Sequence, residues 1–143
     1  MERIIKTFDE LTTSELYEIL KARTAVFVVE QTCPYQDIDG LDPLATHVWL
    51  QEDGQLKAYL RVLPKDADTA HIGRVLTVER GRGYGAQVLK AGIAVARERL
   101  KKSAVYIEAQ SYATGFYARE GFQIISDEFL EDGIPHVRML LNL

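Results

Sequence analysis

The strongest chemical signal in the chain is Arg80-Gly81-Arg82-Gly83-Tyr84-Gly85. Glycines let backbone N–H groups approach a ligand closely. A helix predicted to start within this run adds the partial positive charge of its N-terminus. Together they make a site for an anion, phosphate above all. Arg80 and Arg82 supply forked, permanently charged donors. The spacing is neither Gly-x-Gly-x-x-Gly nor the Gly-Lys-Ser/Thr of a P-loop. A tight strand-to-helix turn with no ligand is the alternative reading.

Other residues could move protons. Glu108 sits in an apolar run, and alternation puts it on one face with Tyr106 and Gln110. A buried carboxylate there can hold a raised pKa and accept a proton near neutrality. The alternative is an ion pair between Glu108 and Arg74 on a neighbouring strand. His47 and His136 titrate in the right range, although each fits a structural role more readily. His71 is expected to be exposed. Cys33 could act as a nucleophile beside His47, but nothing around it argues for a lowered thiol pKa. The three histidines show no ligand spacing, so no metal is expected.

These groups need elements to position them. Arg3 to Phe8 reads as a strand. Thr12 and Glu15 form a capping box, and Leu11 and Leu16 sit at its staple positions. The apolar spacing then predicts a helix to about Val28. Residues 31–45 form a long irregular loop, a type that is often functional. Strands are predicted at His47–Leu50 and Leu56–Leu63 around an Asp53-Gly54 turn, and at Ala70–Val78. A helix to about Lys102 shows one apolar stripe, and Ala104–Ala109 reads as a central strand. Ser111 is predicted to cap a short helix that ends at Gly121. Phe122 to Ile125, extending as far as Phe129, is a strand. Glu131-Asp132-Gly133 then turns the chain into a last strand, His136–Leu141. The pattern is α+β, a mostly antiparallel mixed sheet with helices on both faces.

The 143 residues suit one domain, 1–143. No apolar run reaches membrane-spanning length, and the first residues lack the apolar segment of a signal peptide. A single cysteine excludes a disulfide framework. A cytoplasmic protein is expected. The net charge of −4 argues against nucleic-acid binding. That charge is unevenly spread. Residues 74–102 carry +6, leaving −10 elsewhere, and no Lys or Arg lies between Arg23 and Lys57. One stretch favours a polyanion and the other a cation. A homodimer through edge strands is compatible with the chain, but no particular residue argues for it.

Arg80 to Gly85 resembles the pyrophosphate-binding Arg-x-x-Gly-x-Gly motif of the GNAT acyltransferases, and the element order is similar over essentially the whole chain. Phe116-Tyr117-Ala118-Arg119-Glu120-Gly121-Phe122 matches a second family signature. Val26 to Gln31, Cys33 to Gly40 and Glu131-Asp132-Gly133-Ile134-Pro135-His136 resemble the ElaA-type subfamily. The resemblance implies a GNAT fold and acetyl transfer from acetyl-CoA to a primary amine by direct attack. It implies that Arg80, Gly81, Arg82, Gly83, Tyr84 and Gly85 hold the pyrophosphate and that Leu76, Thr77 and Val78 flank the pantetheine arm. Ser111 is grouped with these cofactor contacts. Tyr117 would protonate the departing thiolate, and Glu108 would serve as the base. Glu30, Asp37, Asp39, His47, Arg74 and His136 are assigned to the acceptor side, where the carboxylates would favour an ammonium group. The competing reading is a non-catalytic acyl-CoA-binding or interaction module, to which Gly115 in the short helix lends some support.

Overall fold

A computed structural model describes residues 1–143. Strand β1 (Glu2–Thr7) leads to helix α1 (Thr13–Arg23). The capping box forms as predicted: the Thr12 hydroxyl accepts the Glu15 N–H at 3.1 Å, and the Glu15 carboxylate accepts the Thr12 N–H at 2.8 Å. The helix does not stay α to Val28. Residues Thr24–Glu30 widen into a π-helix. Thr24, Val26, Val28 and Val29 are β-branched and lose χ1 freedom in an α-helix. Five-residue bonds close the wider turns: the Gln31 N–H reaches Val26 O and the Cys33 N–H reaches Val28 O.

The remaining elements are β2 (Thr46–Glu52), β3 (Gln55–Pro64), β4 (Thr69–Thr77), α2 (Tyr84–Glu98), β5 (Ala104–Gln110), α3 (Thr114–Ala118), β6 (Gln123–Ile124), β7 (Phe129–Glu131) and β8 (Ile134–Asn142). Helix α2 stops at Glu98, short of Lys102, and Lys101 takes a positive φ of 57°. The segment after Phe122 divides into two short strands, both paired to β8. Asp53-Gly54 and Asp132-Gly133 have positive φ at both residues, the backbone of tight hairpin turns.

The sheet order is β1-β2-β3-β4-β5-β8-β6, with β7 also on β8. Every pairing is antiparallel except β4 with β5. Helix α2 covers one face, where Val88, Leu89 and Ala96 join Val48, Leu60, Ile72 and Ile107. Gly92 permits this close approach, because a Cβ there would lie 2.8 Å from a Leu60 methyl. Helix α1 covers the other face, with Ile19 against Trp49, Tyr59 and Leu76. No helix is long and apolar enough to cross a membrane.

The parallel pairing positions the site. It joins Thr69–His71 to Ala104–Tyr106 and goes no further, although β4 runs on to Thr77 and β5 to Gln110. Beyond His71 the two strands splay. A bulge bends β4 at the same place: the register with β3 shifts between Tyr59 and Arg61, and Arg74 has φ of 54°.

Candidate active site

The glycine loop lies where β4 gives way to α2. Gly81 and Gly83 both have φ of 74°, a region costly for residues with a Cβ, and a Cβ at either would meet only open space. This exposed loop lies at the N-terminus of a 15-residue helix, whose first-turn amides lack partners within the helix. Gly85 is small for a different reason. A Cβ there would lie 3.2 Å from the Phe116 ring. Arg80 reaches across to Glu30 at 2.5 Å, while Arg82 lies 3.5 Å from Glu79 and over the Tyr84 ring. Both guanidinium groups stay at the rim, exposed. Tyr84 itself is buried, so it can offer the site its backbone.

The splay between β4 and β5 opens a cleft of about 940 Å³ that continues from this loop. Leu76 and Thr77 line one wall. Tyr117 and Glu108 line the other, and His136 closes the far end with Glu131 and Asp132. Tyr117 is wedged edge-on between Phe116 and Phe122, and its hydroxyl has no protein hydrogen-bond partner. Burial, with a smaller effect from Tyr112, pushes its pKa far up, so it remains a proton donor at neutral pH. The Glu108 carboxylate accepts the Tyr106 hydroxyl at 2.8 Å. Burial and that bond push Tyr106 up to about 12. His136 is buried, with Nδ1 2.7 Å from Ile134 O. A proton on Nδ1 makes that bond and leaves Nε2 facing Glu131 at 3.5 Å.

The acidic loop holds a different structure from the one its composition predicts. Arg23 is fully buried; its Nε meets Asp37 at 3.0 Å and its Nη1 meets Asp42 at 2.6 Å. Arg61 reaches Asp39 at 2.6 Å and Asp42 at 3.0 Å. Arg74 Nε lies 2.8 Å from Asp37 Oδ1 as an ion pair, although its N–H is not aligned for a hydrogen bond. Three guanidinium groups thus balance three carboxylates. Arg61 and other neighbours hold Asp39 well below the usual carboxylate range against the opposing effect of burial. The network ties the loop to α1, β3 and β4.

Residues 10–143 match the family model of the acetyltransferase (GNAT) domain. The chain belongs to the GNAT acetyltransferase family. It is 40% identical over 136 residues to protein ElaA of Escherichia coli, covering 91% of this chain and 89% of that protein. It is 40% identical over 147 residues to a UPF0039 protein of Schizosaccharomyces pombe, covering 100% and 98%. The crystal structure of E. coli ElaA superposes with a TM-score of 0.93 at 37% identity, over 99% of this chain and 100% of that one. An acyl-CoA N-acyltransferase from Pseudomonas aeruginosa gives a TM-score of 0.92 at 39% identity, covering 99% of each chain. N-acetylglutamate synthase from Neisseria gonorrhoeae, solved with coenzyme A and N-acetyl-glutamate, shares the fold alone: TM-score 0.74, 19% identity, 100% of this chain and 35% of that one. The protein is an N-acetyltransferase of the ElaA type, with the GNAT fold expected from its motifs.

Within this GNAT cleft, several sequence expectations need correction. Arg74 does not pair with Glu108; it is held by Asp37 and Asp39. Asp37 is buried behind the cleft wall, and Glu30 sits on the exposed rim paired to Arg80. The cationic-acceptor argument built on Glu30, Asp37 and Asp39 therefore loses its charges. His47 is buried outside the cleft, with Nδ1 2.7 Å from Tyr59 Oη and Nε2 3.0 Å from Asp42 O. It cannot serve Cys33, whose Sγ lies 3.7 Å from Asp132 O. Val78 turns away, its N–H bonded to Lys57 O. Ser111 caps nothing; its hydroxyl bonds Glu128 at 2.8 Å, outside the cleft. His71 is not exposed but half-buried in β4 against Tyr106. It lines the cleft, and burial lowers its pKa. Glu131 and Tyr35 also line the cleft unforeseen. Glu131 was legible as part of a turn and of the Glu131 to His136 segment that resembles the ElaA-type subfamily, and neither reading put its side chain in the cleft.

Proposed function

We propose that this GNAT domain moves an acetyl group from acetyl-CoA to a primary amine by direct attack, with residues 1–143 acting as one catalytic domain. The observation that carries this reading is the continuity, in one cleft, of the glycine loop with the splayed strands and the free Tyr117 hydroxyl. The amides of Gly81 to Gly85 would hold the pyrophosphate. The unpaired edge of β4 at Leu76 and Thr77 would take the pantetheine arm as an added strand. A backbone N–H on the same edge would stabilise the oxyanion as the amine nitrogen bonds to the carbonyl carbon. The C–S bond then breaks, and Tyr117 gives its proton to the sulfur. A proton lost by the new amide nitrogen restores the phenol, directly or through water. Cys33, bonded toward a carbonyl and far in partnership from His47, has no part in this route.

Acetyl-CoA would be titrated calorimetrically into the wild type and a Gly83→Trp variant. Saturable binding lost in the variant is expected. An amine panel with free-thiol detection then reads the transfer. No binding by the folded wild type would overturn the proposal.

A further inference from the structure

Five residues other than glycine have a positive φ, and four of them, Thr32, Asp53, Lys101 and Asp132, lie in turns or loops. Arg74 alone sits inside a strand. Its φ of 54° is left-handed backbone, which is costly for a residue with a Cβ and free for glycine. A glycine stands next to it. Gly73 keeps a φ outside that region, and a Cβ there would meet nothing within 4 Å. The strain thus falls on the arginine, although its neighbour could carry it without cost. Strain of this kind persists only where the surroundings over-determine it, and it gathers at functional sites.

The side chain shows what holds it there. Arg74 Nε lies 2.8 Å from Asp37 Oδ1, and Nη2 donates to Asp37 O at 3.0 Å and to Asp39 Oδ2 at 3.3 Å. The guanidinium lies over the Tyr35 ring at 5.5 Å, and the Tyr35 hydroxyl donates to Asp37 Oδ1 at 2.8 Å. Asp37 and Asp39 are fixed in turn by Arg23 and Arg61. Every anchor of the Arg74 side chain therefore comes from the acidic loop before β2. The backbone consequence lies in β4. Its register with β3 runs Gly73 with Arg61 and Leu76 with Tyr59, so Arg74 and Val75 together stand against Leu60. One extra residue inverts the alternation of side chains beyond it. Ile72 packs beneath α2, whereas Leu76 packs beneath α1 with Trp49 and Tyr59. An unbroken strand would put both on one face.

We infer that Arg74 is a positioning residue for acetyl transfer. Its anchors in the acidic loop hold the left-handed turn of β4, and that turn sets how Val75, Leu76 and Thr77 face the cleft. This rests on the acetyl-transfer reading above, which puts the pantetheine arm and the oxyanion on that edge, and deepens it. Arg74 needs no contact with either substrate to act in this way. The acidic loop acts as a brace for the backbone of β4.

Three substitutions separate a held backbone from a substrate contact. Arg74→Gly, Arg74→Asn and Arg74→Ala all remove the guanidinium. Glycine takes left-handed φ freely, asparagine readily, and alanine only at a cost. At saturating acetyl-CoA and amine, kcat should rank Gly above Asn above Ala, with about tenfold between Gly and Ala. The thermal midpoint should fall in all three, because each loses the ion pairs. Methyl NMR of the substrate-free protein reads the strand directly. The Leu76 methyls pack with Trp49 and Tyr59 and carry their ring-current shifts, which Arg74→Gly should keep and Arg74→Ala should lose. Equal kcat losses in the Gly and Ala variants would overturn the inference, as would unchanged Leu76 shifts in Arg74→Ala. Should Arg74→Ala fail to fold, Gly against Asn carries the same comparison. A wild type that transfers no acetyl group would count against the acetyl-transfer reading, and the Leu76 shifts would still decide whether Arg74 holds the strand.

Discussion

Asp42→Ala should be among the most damaging single changes outside the catalytic groups. One oxygen, Oδ1, takes Arg23 Nη1 at 2.6 Å and Arg61 Nη1 at 3.0 Å, and both arginines are almost fully excluded from water. The substitution turns three guanidinium groups against three carboxylates into three against two. It leaves a buried charge uncompensated, and losing one partner of a buried pair costs about 3–5 kcal/mol. At an unfolding entropy of about 2 cal/mol/K per residue, a chain of this length loses roughly 3 °C in Tm per kcal/mol. The expected fall is about 10–15 °C. Thermal melting and urea denaturation, followed together by circular dichroism and Trp49 fluorescence, would measure it. Asp42→Asn should fall in the same direction, since it restores one acceptor but not the charge. The variants should also raise the acceptor KM more than the acetyl-CoA Kd, because the network anchors the loop bearing Asp37 and Asp39. A loss below about 1 kcal/mol, the range of exposed ion pairs, would refute this account of the network.

Tyr117→Phe should lower kcat about 100-fold while calorimetry shows unchanged acetyl-CoA affinity, since the lost hydroxyl has no protein partner. Cys33→Ser should retain turnover within about twofold, measured by thiol release; complete loss would revive a covalent route through the cysteine. Stability should fall with acid in two stages, read by urea denaturation from pH 8 to pH 3. His47 and His71 have pKa values lowered by burial, so their contribution is present above the unfolded histidine value and declines as pH drops below about 6.5. Asp39 and Asp42, held low by arginine partners, keep their contribution until pH falls below about 4. A single acid transition with no change between pH 7 and pH 5 would refute the histidine part.

Much of the frame was legible because its signals are local. The Thr12–Glu15 capping box and the Asp-Gly turns each depend on a few adjacent residues, and each formed as read. The alternation that put Glu108 with Tyr106 and Gln110 is equally local, and the Tyr106–Glu108 bond follows from it. The errors lie where partners come from far along the chain. Asp37 and Asp39 were read as open charges because Arg61 and Arg74, which neutralise them, are more than twenty residues away. Ser111 lost its capping role to a bond with Glu128. Sequence by itself determined the glycine loop, the helix it opens and the strand that carries Glu108, since backbone sterics and side-chain periodicity act between neighbours. Only the tertiary structure decided which charges survive. The splay of β4 from β5 and the return of the β7–β8 hairpin choose the neighbours of each carboxylate, and those neighbours determine whether it is neutralised in a network or left facing the cleft.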